Sequence, residues 1–86
     1  MKRTVEVIIT VEVETDDSKF DKNFMDNFSR YFYEFDTIEE HAEHLAQLEA
    51  RGMIDANFVE GYGALKDMGI KIRVMDREVC LIEEEE

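Results

Sequence analysis

His41 and His44 stand three residues apart, and Glu40 lies four positions before His44. On a helix this spacing offers a carboxylate and an imidazole within about one turn, a beginning of a divalent-metal site. A zinc centre, however, needs three or four convergent ligands, and the chain holds no third histidine. At 100° per residue the two imidazoles point about 60° apart. No metal and no cofactor is therefore expected. His41 reads as a packed boundary residue beside Leu45 and Leu48. His44 reads as a surface group compensated by Glu40 and titrating near neutral pH.

Other chemistry-bearing residues lead no further. Cys80 is the only cysteine, and a nucleophilic thiol needs a base and an electropositive setting. Arg73 could face it across a hairpin, but no histidine is placed there. Asp21 falls inside a run of aromatic residues and would gain a raised pKa if buried, although its place at a helix start gives it a route to solvent. Gly61-Tyr62-Gly63 lacks the Lys-Ser/Thr or GxGxxG continuation of a phosphate-binding loop. Carboxylate pairs carry little information in a chain with 22 Asp and Glu. No catalytic residue is assigned, and a binding protein is expected rather than an enzyme.

Charge is the least ordinary property. Ten Lys and Arg against 22 Asp and Glu leave a formal net charge of −12. Direct contact with nucleic acid or an anionic membrane is disfavoured, while a basic protein surface is favoured with salt-sensitive association. The charge is concentrated: Glu34, Asp36, Glu39, Glu40, Glu43 and Glu49 fall between Tyr31 and Ala50, with no Lys or Arg among them. Glu39 and Glu43 lie one helical turn apart, about 6 Å along the axis, a spacing comparable with neighbouring phosphates on one nucleic-acid strand. The expected partner-binding residues are Glu34, Asp36, Glu39, Glu40, Glu43 and Gln47. An ordinary solvated helix face is the competing explanation for the same residues.

The elements that position these groups read as follows. Residues 4–14 alternate, with Val5, Val7, Ile9, Val11 and Val13 on one face, the signature of a strand with one buried side. Asp16, Asp17 and Ser18 suit a helix N-terminus. Phe20, Phe24, Phe28, Tyr31, Phe32 and Phe35 then recur at three- and four-residue spacing, predicting a helix over 19–35 whose stripe packs on the valines. Thr37 and Glu40 form a capping box, and Gly52 supplies a left-handed stop, so a second helix is expected over 38–51. Its inner face is Ile38, Ala42, Leu45 and Leu48. A short third helix is expected within 54–68 despite Gly61 and Gly63. From Ile70 onward alternation predicts a hairpin turning at Asp76-Arg77, with Glu83–Glu86 as a solvated tail.

The expected fold is α+β, in the order β-α-α-(α)-β-β. One long N-terminal strand and a C-terminal hairpin make a three-stranded sheet covered on one face by two or three helices. Residues 1–86 form a single domain. A lone cysteine fits a reducing compartment, and no run is apolar enough for a signal peptide or a membrane span, so the cytoplasm is the expected location. The outer sheet face would expose Ile8, Met75 and Ile82, a candidate surface for a homodimer.

Three functional readings follow. The first is an acidic interaction module that binds a basic surface, such as that of a nucleic-acid-binding protein. In bulk character the chain resembles the small, acidic, cysteine-poor inhibitors of restriction and CRISPR nucleases, some of which are nucleic-acid mimics, though no motif ties it to one of those families. The second is an assembly subunit that self-associates through the outer sheet face. The third is a small metal-dependent enzyme centred on Glu40 and His44.

Overall fold

The computed structural model describes residues 1–85. Strand β1 (Lys2–Glu14) pairs antiparallel with β2 (Lys71–Glu85), and these two strands are the whole sheet. Between them lie helices α1 (Lys22–Tyr31) and α2 (Ile38–Ala50), with single 3₁₀ turns at Asp17–Lys19 and Leu65–Met68. The molecule is a helical head, residues 15–70, carried on a long two-stranded ribbon. A compact chain of this length has a radius of gyration of about 12 Å. Here it is 16.2 Å, with a long axis of 54 Å.

The sheet has two strands where three were expected, because the C-terminal segment does not turn back at Asp76-Arg77. It continues as one strand past a β-bulge: Thr10 faces Asp76 but Val11 faces Val74, leaving Met75 as the extra residue. A bulge absorbs one residue without reversing the chain, so the polar pair sits within a strand. A second register shift leaves Ile82 over, between Leu81 opposite Val5 and Glu83 opposite Thr4. Glu83–Glu85 are paired with Thr4–Lys2 and are not a free tail; Glu86 lies outside the described residues. Arg73 faces Glu12, with Nη2 at 3.3 Å from Oε1, while Cys80 faces Glu6. The supposed Arg73–Cys80 pairing is absent.

Helix α1 is shorter than the aromatic spacing predicts. Asp21 is its N-cap and accepts a 2.8 Å bond from the Phe24 N–H, which keeps its carboxylate at the solvent rather than in the stripe. The helix ends at Tyr31. Phe32–Phe35 keep helical spacing in sequence but form a loop, held by the Ser29 hydroxyl donating to the Phe35 carbonyl at 3.1 Å. Phe20 and Phe28 are buried, and Phe24 and Phe35 pack beside them, whereas Tyr31 and Phe32 are exposed.

Helix α2 follows its local signals closely. The Thr37 hydroxyl accepts from the Glu40 N–H, and the Glu40 carboxylate accepts from the Asp36 and Thr37 N–H groups at 3.0 and 3.3 Å. At the other end Gly52, at φ 68°, closes a Schellman motif through Gly52 N–H to Glu49 and Met53 N–H to Leu48. Thr37→Ala should cost about 1 kcal/mol of unfolding free energy by denaturant titration, the usual worth of an N-cap.

Residues 54–64 do not form the expected third helix. Val59 and Gly63 make an isolated antiparallel bridge around a tight turn, and only Leu65–Met68 adopts a helical turn. The core gathers Phe20, Phe28, Leu45, Val59, Tyr62, Leu65 and Ile70. Of the ribbon, only its head-proximal part joins them, through Val13 and Ile72. Helix α2, not the aromatic helix, lies along β1. The valine face is therefore covered only near the head; Val5 and Val7 are exposed. Among the described residues no helix is long and apolar enough to cross a membrane.

Candidate functional site

His41 occupies the middle of the head and has no exposed surface. Rings of Phe20, Phe24, Phe28, Phe35 and Tyr62 surround it with centroids 4.6–5.7 Å away. Its Nδ1 shares a 2.7 Å hydrogen bond with the Tyr62 hydroxyl, and its Nε2 has no hydrogen-bond partner. Burial holds the imidazole below its ordinary pKa, the charge of His44 adds to this, and Glu40 opposes it. Burial likewise pushes the Tyr62 phenol upward. This is a neutral pair in a closed aromatic box, with no route for a substrate. The sequence placed His41 at the edge of the inner face, not at its centre.

His44 lies at the surface end of the same aromatic system, 5.0 Å from the Tyr33 ring and 5.4 Å from Phe35. It is half-buried and its pKa is lowered, first by burial and then by the Arg51 charge. It lines a cleft of about 380 Å³ with Tyr31, Phe32, Tyr33, Met53 and Phe58. The cleft is built from three segments: the end of α1 with the loop after it, the C-terminal half of α2 with Met53 beyond it, and the stretch around the Val59 turn. Phe58 is 66% exposed and Tyr31 70%, so large apolar rings are presented to solvent without a covering element. Concave, aromatic-lined surfaces with a few polar groups are the common form of binding sites. The cleft lies outside the sequence expectations, which place Tyr31 and Phe32 in the stripe of a helix over 19–35. The end of α1 at Tyr31 is what leaves Phe32 and Tyr33 in a loop open to solvent.

Of the acids, Glu60 lines the cleft, and the others spread around α2 and the loop before it. At 100° per residue, Gln47 lies about 60° and Glu43 about 100° around α2 from His44, with Glu39 further along the same outer arc. Glu39, Glu43 and Gln47 are exposed, as are Glu34 and Asp36 in the loop that carries Tyr33. None of these carboxylates belongs to an ion pair among the described residues. Glu40 differs: it is partly buried and its carboxylate is spent on the helix cap. Five of the six expected partner-binding residues, four of them acids, are thus exposed, and the carboxylate of the sixth anchors the helix. The charge of Arg51 acts on His44 from the end of the same helix.

No protein-family model, curated protein or solved structure matches this chain.

Among the described residues no three His, Cys, Asp or Glu side chains gather as a metal-binding group. His41 is walled in while His44 faces the cleft, which separates the two imidazoles physically. Cys80 is exposed on the ribbon, far in sequence from both. Ile8, Met75 and Ile82 are exposed. Met75 and Ile82 are the two bulge residues, and Glu6, Asp76 and Glu78 stand around Ile8.

Proposed function

We propose that this protein is an interaction module that receives a basic segment of another protein along the α2 rim and seats an apolar side chain of that segment in the aromatic cleft. The observation that supports this reading is uncovered rings flanked by unpaired carboxylates: Glu60 lines the cleft and Glu34 follows Tyr33 in its wall. Acids alone would serve solubility, and exposed rings alone would be a liability; together they match a cationic, amphipathic ligand. Exposed aromatic faces also attract Lys and Arg directly, at about 0.5–1 kcal/mol per contact in the open. A nucleic-acid-binding protein is the class of partner whose basic groove this rim would suit, because its carboxylates recur at a phosphate-like spacing.

The test uses lysine- and arginine-rich peptides, with and without one tryptophan anchor, titrated against the protein at low and high salt. Glu39→Lys with Glu43→Lys should weaken binding at least about tenfold and leave the unfolding midpoint almost unchanged, since both residues lie at the rim. Phe58→Ala should abolish only the advantage of the anchored peptide. Undiminished peptide binding by the double charge reversal would overturn the assignment of the rim.

A further inference from the structure

The ribbon raises a separate question, independent of the cleft. Directly opposed residues of an antiparallel pair share a face, so Val5 with Leu81 and Val7 with Val79 form one apolar stripe. The stripe runs on through Ile9, Val11 and Val74 to Val13 and Ile72, which are packed in the core. It is therefore a continuation of the core surface that the head does not reach. Val5, Val7, Val79 and Leu81 are 48–72% exposed. An isolated two-stranded ribbon is at best marginally stable in water, and this one extends seven residues beyond its last half-buried β1 position, Ile9.

The surface area gives the size of what is missing. A compact monomer of 10.1 kDa exposes about 5300 Å². This chain exposes 6507 Å², an excess of roughly 1200 Å². A standard interface removes about 800 Å² from each partner, so the excess is enough for one.

We infer that the stripe is the interface of a symmetric homodimer, in which two ribbons pack face to face through Val5, Val7, Val79 and Leu81. A second copy supplies what the stripe requires: an extended apolar surface of equal length, complementary to itself under a two-fold axis. Charge favours the same occupant. Between Val5 and Val13, and between Ile72 and Leu81, the stripe bears a single charged residue, Arg77 opposite Ile9. The acids Glu6, Glu12, Asp76 and Glu78 occupy the other face. Two chains of charge −12 can meet on this side with their carboxylates turned outward. Arg77 is long enough to lay its stem on the stripe and carry its guanidinium to the ribbon edge.

Sedimentation equilibrium on the full chain tests this, joined to isotope-filtered NMR of a mixed labelled and unlabelled sample. A dimer with a micromolar dissociation constant is expected, with contacts between copies among the Val7, Val79 and Leu81 methyl groups. Val7→Asp should weaken dimerisation at least about a hundredfold, whereas Ile8→Asp, on the opposite face, should not change it. The near-ultraviolet circular dichroism of the aromatic head, measured on both variants, separates loss of the interface from loss of the fold. A wild-type chain that stays monomeric at millimolar concentration overturns the inference. So does a dimer whose intercopy contacts lie on Ile8 or in the aromatic cleft.

Discussion

Gly61→Ala should remove about 2–6 kcal/mol of unfolding free energy, a large share of the margin of so small a domain. Two costs add. Gly61 sits at φ +90°, where a β-carbon is strained, at about 1–3 kcal/mol. That β-carbon would also collide with Cε2 of Phe28. The Phe28 ring cannot step aside, because it is 2% exposed and hemmed in by Phe24, Phe32, Phe35, His41 and Tyr62. Forcing such a ring costs about 1–3 kcal/mol more. Gly63 is the internal control. It too has positive φ, at 73°, but no atom lies within 4 Å of its missing β-carbon. Gly63→Ala should cost only the backbone strain. Urea titration of the two variants should show Gly61→Ala the more destabilised; equal losses would mean that the Phe28 contact contributes nothing.

Acid should unfold the protein earlier than its carboxylates alone would require. His41 and His44 both have pKa values below the ordinary 6.5, so the unfolded chain takes up protons that the folded chain refuses. The stability they confer is complete above about pH 6.5 and is lost as the pH falls towards their folded values. Where one histidine is protonated only in the unfolded state, stability should change by about 1.4 kcal/mol per pH unit. His41 should contribute the larger part, since it is wholly enclosed. In His41→Gln the slope of unfolding free energy against pH between about 6.5 and 5 should flatten markedly, although stability at pH 8 falls with the loss of aromatic packing. A wild-type protein whose stability is flat through that window would refute the account.

The features that were legible in the sequence are those set by neighbours a few residues away. Thr37, Glu40 and Gly52 define α2 almost to the residue, because caps are local hydrogen bonds. The alternation from Thr4 to Glu14 is a strand for the same reason. What failed needed distant information. Asp76-Arg77 looks like a turn because a bulge and a turn both break alternation, and only the partner strand distinguishes them. Alternation announces that one face of β1 is apolar, but not whether anything covers it, so Val5 and Val7 were given a core they do not reach. Phe32 and Phe35 keep the helical period after the chain has left the helix. In the site, the acidic rim was readable as composition, whereas the cleft required knowing that α1 stops at Tyr31 and that Phe58 comes alongside. The loss of Glu40 to the cap was in plain view, since one carboxylate cannot both close a capping box and remain free for a partner.

The ribbon also orders events in time. Its strands are separated by the whole of residues 15–70, so the rung that closes the shortest loop is Glu14 with Lys71, at the head. The entropy of closing that loop is met once, at the first rung. Each later rung fixes only its own residues, and the ladder zips outward from the head towards Lys2 and Glu85. Opening runs in reverse, beginning at the tip, where one exposed ion pair, Arg3 with Glu84, holds the last turns of the ladder. Amide protons along β1 should therefore exchange in a graded sequence, fastest at Lys2 and slowest at Glu14. The ribbon is a clasp whose grip reports on the integrity of the head.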